Sequence, residues 1–290
     1  MRSSTRIFDP RQNMKRSDYE VFHYRDSKTC EVEVHHHDFY EIYFFLGGKA
    51  SYWIEGTSYP MEVGDLLFIG PSELHRPVVE ETSVYERIVL WIDKKYLNTL
   101  STPEVNLARL FDREAEGHVN FLRPDTTKRD EIRRILDKLV EEYYGCEFGS
   151  AVYAEGLLRL FLTEVNRLTL NETVTREEEG NLPLVQRVLA YITENYWRDL
   201  SLEGLAEEFS ISKYHLSHAF SREVGVGVYR YIKLKRLLTA RQMIADGVSA
   251  GVASRACGFK DYANFYRAFR AEYGVSPGES GRPKRKSKAE

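Results

Sequence analysis

His35, His37 and Glu41 stand two and four residues apart, and His75 follows beyond a short apolar run. Three imidazoles and a carboxylate are the donors that a divalent iron, manganese or zinc ion takes when it keeps open positions for a small ligand. The same groups can hydrogen-bond backbone or a polar small molecule, which is the more frequent use of such histidines. The surrounding rings, Phe39, Tyr40, Tyr43, Phe45, Tyr52, Trp53 and Trp91, suit either a cavity wall or an ordinary core. The expected effector contacts are His35, His37, Glu41, Tyr43, Trp53 and His75. A metal on His35, His37, Glu41 and His75 is the less favoured use of four of them, and no cofactor is required.

A second set of residues recurs at an offset of 49: Ser212 with Asp261, Leu216 with Phe265, Ala219 with Ala268, Phe220 with Phe269, and Gly225 with Gly274. Each copy reads as a helix opened by a capping residue and closed by glycine. A shorter helix carrying Leu205-Ala206 or Val252-Ala253 precedes it, and the small alanine lets two helices cross closely in a helix-turn-helix. Removing the inward positions leaves Lys213, Tyr214, Ser217, His218, Ser221 and Arg222 outside in the first copy. In the second it leaves Tyr262, Ala263, Asn264, Tyr266, Arg267 and Arg270. Arg267 can bond a guanine edge, Asn264 can pair with adenine, and Tyr214 or Ala263 can touch a thymine methyl. Lys213, Arg222 and Arg270 suit phosphates, which position a protein on the duplex without reading its sequence. Short helices with such spacings occur in any bundle; a tandem basic duplicate is far more specific to DNA.

Different elements must carry the two sets. From Val21 to about Asp93 the chain reads as short strands, at Glu31 to His35, Tyr40 to Leu46, Ala50 to Glu55, Asp65 to Ile69 and Glu86 to Ile92, separated by glycine turns. Strands this close together predict a small sandwich or barrel, with His35, His37 and Glu41 on one strand face. After about Thr126 the period becomes helical. Ile132, Ile135, Leu136, Leu139, Val140 and Tyr143 form one stripe, which either pairs two subunits or packs on its own barrel. A second helix runs from about Ser150 to Leu168. The polar stretch 171–180 reads as a linker, and beyond Pro183 everything is helical.

Charge follows the same division. Residues 182–290 hold eighteen Lys and Arg against eleven Asp and Glu, a balance of +7, whereas the remainder balances at −10. An acidic part joined to a basic one is expected when only the second meets a polyanion. Hydrophobic content of 42% with 29% charged residues excludes collagen-like and disordered classes for the bulk of the chain. No apolar run reaches the ~20 residues of a membrane span. The start has positive charge but no apolar segment, and Cys30, Cys146 and Cys257 are too far apart for a metal knuckle or a disulfide framework. A cytoplasmic location is expected.

The run Val252-Ala253-Ser254-Arg255-Ala256-Cys257-Gly258-Phe259, with Asp261, Phe265, Arg267, Phe269, Gly274 and Ser276-Pro277, resembles the AraC/XylS-type regulators. Ser201-Leu202 through Phe220 and Gly225, then Tyr231-Ile232, Arg236 and Ala240, resembles the first half of the same module, so the likeness spans about 184–280. Gly227-Val228 replaces a common Ser/Thr-Pro pair, and Glu279-Ser280-Gly281 replaces the usual Tyr-Arg ending. The resemblance implies two helix-turn-helix units joined by a helix over 228–246, each sending a helix into successive major grooves, and contact with RNA polymerase. It places base contacts on Tyr214, Ser217, His218, Ala263, Asn264 and Arg267. His35-x-His37 with Glu41, Gly64-Asp65 and Pro71 before His75 resembles the cupin metal motif, and also the sensor domain that precedes the DNA module in many AraC-type regulators.

The expected fold is α+β and multidomain: an arm over 1–17, a cupin-like β-barrel sensor over 18–125, a helical connector over 126–181, an all-α double helix-turn-helix over 182–282, and a basic tail over 283–290. The expected function is a transcriptional regulator, an activator by class, controlled by a small-molecule effector, of which a sugar is one option. Its expected partners are double-stranded promoter or operator DNA, RNA polymerase and a second copy of itself as a homodimer, with no membrane. It is not expected to be an enzyme; a metal-dependent cupin oxygenase or isomerase fused to a DNA module is the alternative.

Overall fold

The computed structural model describes residues 5–6, 13–27, 32–71, 73–80, 84–113, 115, 118–171 and 183–280, in two units, 1–177 and 178–290. The 171–180 linker beyond its first residue, the basic tail and Cys30 lie outside the described residues.

Among the described residues of the first unit nine strands form two sheets. They are β1 (Thr5–Arg6), β2 (Tyr19–Asp26), β3 (Tyr40–Gly47), β4 (Ala50–Ile54), β5 (Thr57–Pro60), β6 (Leu66–Ile69), β7 (His75–Val79), β8 (Tyr85–Ile92) and β9 (Phe121–Leu122). One sheet has the order β1-β2-β8-β3-β6-β9, the other β5-β4-β7. All pairs are antiparallel except β1 with β2. Successive side chains of a strand leave on opposite faces, and both faces of the larger sheet are buried. Phe22, Tyr24, Tyr43, Phe45, Leu67, Ile69, Val89 and Trp91 share an interior with Tyr52 and Ile54 of the smaller sheet. The alternate positions Val21, Ile42, Phe44, Leu66, Phe68, Ile88 and Leu90 meet α1 (Lys94–Leu100), a 3-10 turn (Leu107–Phe111), α2 (Thr126–Tyr143) and α3 (Ser150–Asn171). At the β4–β5 hairpin Glu55 and Gly56 both take positive φ, as a tight two-residue turn of matching twist requires.

One expectation needs correction, and one alternative is decided. Residues 32–34 make no strand; the segment touches the sheets through one bridge, in which His35 and His75 exchange both backbone hydrogen bonds. The stripe on α2 belongs to its own domain. Ile132, Ile135, Leu136, Leu139 and Val140 bury against the outer face of the large sheet, each contributing about 1.5–3 kcal/mol.

In the second unit the helices are α4 (Leu184–Asn195), α5 (Leu202–Glu208), α6 (Lys213–Val224), α7 (Val228–Ala245), α8 (Ala250–Ala256), α9 (Tyr262–Tyr273) and α10 (Pro277–Ser280). Pro183 stands one place before α4. α5 packs on α6 and α8 on α9, with α7 touching α6, α8 and α9. The α5 pair Leu205-Ala206 is buried, but in α8 only Ala253 is; Val252 is exposed and Ser254 turns inward, donating to the Gly251 carbonyl at 3.0 Å. Gly227 caps α7 without a side-chain bond, and Ser276 and Glu279 cap α10 reciprocally. Among the described residues no helix is long and apolar enough to cross a membrane.

Gly258 ends the α8 turn at φ +81°, and a Cβ there would lie 2.4 Å from the Trp197 carbonyl oxygen. Gly258→Ala should lower the stability of this unit by about 2 kcal/mol or more, through left-handed strain and overlap together. An unchanged denaturation midpoint would contradict that account of the turn.

Candidate nucleic-acid interface and effector site

The two recurring helices have the same length because their ends are fixed by the same chemistry. Ser212 Oγ accepts from the His215 amide at 3.1 Å; Asp261 accepts from the Ala263 and Asn264 amides at 3.2 and 3.0 Å. At the other end Gly225 and Gly274 take φ +88° and +71°. Between these limits Leu216 and Phe220, and Phe265 and Phe269, are wholly buried. That fixes the rotation of each helix and therefore what it shows to solvent.

On α6 Lys213, Tyr214, His215, His218, Ser221, Arg222 and Glu223 are exposed, Tyr214 by 80%, and Ser217 is half-buried. Tyr214, Ser217, His218, Ser221 and Arg222 line one shared surface depression. On α9 Tyr262, Ala263, Asn264, Arg267 and Arg270 are exposed and Tyr266 is half-buried. The Arg267 guanidinium donates to Asn264 Oδ1, so the two exposed side chains form a unit. Lys213 lies 3.4 Å from Glu203, an exposed pair too weak to hold it from a phosphate.

In the first unit His37 leaves the loop before β3 and Glu41 is the second residue of β3, both buried. His75 opens β7 in the other sheet and is fully buried. Strand alternation puts Glu41 and Tyr43 on the interior face. It turns Trp53 away from Tyr52 and Ile54, so Trp53 does not share the interior expected of it; Tyr40 likewise faces outward, stacking on Phe111 at 4.3 Å. Glu41 Oε2 accepts from Trp91 Nε1 at 2.8 Å and lies 3.1 Å from His37 Nε2; Tyr52 donates to Oε1 at 3.4 Å. Burial alone would raise the Glu41 carboxyl, but the hydrogen bond and charge of His37 outweigh it and hold it below the usual range. Burial pushes His75 well down, with His35 and His37 adding to the effect, and pushes His35 down to about 4. The three rings converge: His75 lies 4.3 Å from His35 and 4.8 Å from His37 between centroids.

Arg87 escaped the sequence reading, although it is a cation at an inward position of β8. It is buried between the Tyr24 and Tyr85 rings, 4.9 and 4.2 Å from their centroids, and its guanidinium donates to Asp26 and to the Tyr85 carbonyl. The Tyr43 and Tyr85 hydroxyls bond each other, and burial raises Tyr85 to about 12. The interior thus carries a carboxylate with imidazoles, a guanidinium, and tyrosine hydroxyls. Such groups can recognise a small polar molecule.

Residues 19–162 match the AraC-like ligand binding domain, and residues 205–282 match the helix-turn-helix domain. The HTH-type transcriptional activator RhaS of Escherichia fergusonii is 26% identical over 249 residues, covering 84% of this chain and 86% of that protein. RhaS of Salmonella arizonae is 25% identical over 247 residues, covering 84% and 85%. Among solved structures, unsaturated fatty acid bound ToxT from Vibrio cholerae aligns over 92% of this chain and 96% of its own, at 16% identity and a TM-score of 0.39. The C-terminal domain of AraT, a response regulator from Geobacillus stearothermophilus, covers 37% of this chain and 90% of its own, at 26% identity and a TM-score of 0.35.

Arg87→Leu would strand the Asp26 carboxylate, whose side chain is 16% exposed, without its guanidinium. The substitution should cost about 3–5 kcal/mol in urea denaturation, and Asp26→Asn in the same chain should recover part of it. Equal stability of wild type and single variant would show that the pair does not organise the interior.

Proposed function

Because the chain belongs to the AraC family of transcriptional regulators, joining an AraC-like ligand-binding domain to a helix-turn-helix domain, we propose that it activates transcription from promoters read by α6 and α9. The observation that carries this reading is the matched pair of capped helices, each rotated by its buried residues so that polar and cationic side chains face solvent. Tyr214, Ser217 and His218, and Ala263, Asn264 and Arg267, read base edges; Lys213, Arg222 and Arg270 hold phosphates.

The first unit is the sensor. Its interior around His35, His37, Glu41, Tyr43 and His75, extended by Tyr52, Tyr85, Arg87 and Trp91, takes a small polar effector, and a sugar fits the pairing of ring faces with hydroxyl and carboxylate hydrogen bonds. A homodimer would form through α3, where Val152 and Leu160 are exposed on one side while Leu158, Phe161 and Leu162 are buried. RNA polymerase is the further partner of an activator, and the cytoplasm its place. No step of this function breaks a covalent bond in a substrate, and the curated relatives named above are regulators.

Promoter fragments recovered by selection from random duplexes test the reading. Arg267→Ala should weaken the selected site by about 1–3 kcal/mol and relax preference at one base pair. Arg222→Ala should weaken all duplexes alike and lower the salt dependence by about one ion. Failure to select any sequence, or equal loss on every sequence from Arg267→Ala, would overturn the assignment of the α9 face to base reading.

A further inference from the structure

We propose, on the reading of α6 and α9 as the DNA-facing helices, that Arg236 is a positioning residue for recognition: it locks the turn at 196–199 onto the second helix pair, so that one chain reads two stretches of duplex at a single separation. The first observation is where its charge goes. Arg236 lies half-buried on α7, and its guanidinium donates to the carbonyls of Tyr196 and Arg198, both at 2.7 Å. Tyr196 caps the C-terminus of α4, where the last carbonyls of a helix have no partner within it and the dipole favours a cation. Hydrogen bonds from a charged donor are the stronger kind, and the planar fork reaches both oxygens at once.

The second observation is that each residue of the turn meets the second half of the domain. Tyr196 packs against the core that holds Leu237, Ala253, Phe265 and Phe269. Phe265 and Phe269 set the rotation of α9, so the turn is seated on the element with which it must be aligned. The Trp197 backbone lies so close to Gly258 that a Cβ there would overlap it. The Arg198 carbonyl is held by Arg236, and Asp199 pairs with Lys260 at 2.6 Å. That last pair is exposed and contributes little; the other three contacts do the holding.

The third observation is that α4 travels with the first helix pair. It packs on α6, and its Tyr191 meets Phe209, at the end of α5, edge-on at 5.7 Å. The helices α6 and α9 are therefore joined twice, through α7 and through α4 with its turn. The helix α7 has Gly227 before it and Gly247 after it, and glycine at both ends would let it hinge. One connection sets a distance; the second closes a ring and fixes the angle. One inserted base pair moves the far stretch of a duplex by ~3.4 Å and turns it by ~35°. A hinged reader can follow that displacement, whereas a closed ring cannot.

The full chain is measured by fluorescence anisotropy on three duplexes: the site recovered by selection, that site with one base pair inserted between the stretches read by α6 and α9, and that site with the α9 stretch scrambled. Linked contacts add affinity only while both can engage, so the wild type should lose ~100-fold on the insertion, down to its level on the scrambled site. Arg236→Met should bind the selected site ~10-fold more weakly, discriminate against the insertion by less than ~3-fold, and match the wild type on the scrambled site. Arg236→Lys keeps the charge but not the fork; it should fall between the two, and it serves alone should the methionine variant fold poorly. Wild-type tolerance of the insertion would overturn the proposal. So would unaltered spacing discrimination in the folded variants, or an equal loss on all three duplexes, which is the mark of a purely structural role. A wild-type chain that selects no sequence would instead remove the DNA reading, and this inference with it.

Discussion

The first unit depends on a single constraint: its large sheet has water on neither face. A strand buried on both sides has to divide its side chains into two sets of opposite purpose, since neighbours leave on opposite faces. In β3 the set Ile42, Phe44 and Leu46 is wholly aliphatic or phenyl and packs against the helices; the set Glu41, Tyr43 and Phe45 meets the other sheet. Rigidity comes from the first set and chemistry from the second. A shift of one residue in register would turn Glu41 toward the helix-covered face that holds Leu136 and Phe161, where its carboxylate would find no partner, so the cost of burying a charge enforces the register.

The second unit solves a different problem, presenting side chains outward at a fixed rotation. Its device is local. A hydroxyl or carboxylate at Ser212 and Asp261 starts each helix, and left-handed Gly225 and Gly274 stop it. Caps set where a helix begins and ends, and Leu216 with Phe220, or Phe265 with Phe269, sets which face is hidden. The two copies differ in the preceding turn, since Ala206 lies six residues before its helix cap and Ala253 eight before its own. Duplicated exposure is therefore a property of the second helix of each pair and not of the whole repeat: Val252 is solvent-facing while Leu205 is buried.

These differences mark what the sequence made legible. Helical elements were readable almost to their ends, because caps and a 3.6-residue stripe are local signals. Strands with flanking glycines, β3, β4 and β6, were readable too, as was β8 from its β-branched and aromatic run. The strand β2 was not separately marked, because Tyr19 to Phe22 are all buried and no alternation remains to be seen. The expected strand at Glu31 to His35 rested on Val32 and Val34, yet only His35 finds a pairing partner, on β7 forty residues later. That same long-range bridge brings His35 to His75. The convergence of the histidines was anticipated, but from a shared strand face; the loop achieves it instead. Arg87 and Asp26 were missed because neither is unusual alone, and only the pairing of β2 with β8 turns them into one buried ion pair.

A sensor whose polar groups lie inside a buried, aromatic interior gains leverage from that placement. Occupancy can move an equilibrium only by the difference in affinity between two states, and shifting a population from 1:99 to 99:1 takes about 5.5 kcal/mol. Exposed hydrogen bonds, exchanged against water, supply too little difference to do this with a few contacts. Groups with low surrounding polarity and incomplete partners do better. Among the described residues His75 Nε2 has no hydrogen-bond partner, and Glu41 Oε1 has the 3.4 Å contact from Tyr52. A ligand that satisfies both gains the interaction and removes a standing penalty in one state alone. A difference of that kind is largest for a small molecule that reaches polar groups of both sheets, because each such contact replaces a missing partner and not a bond to water.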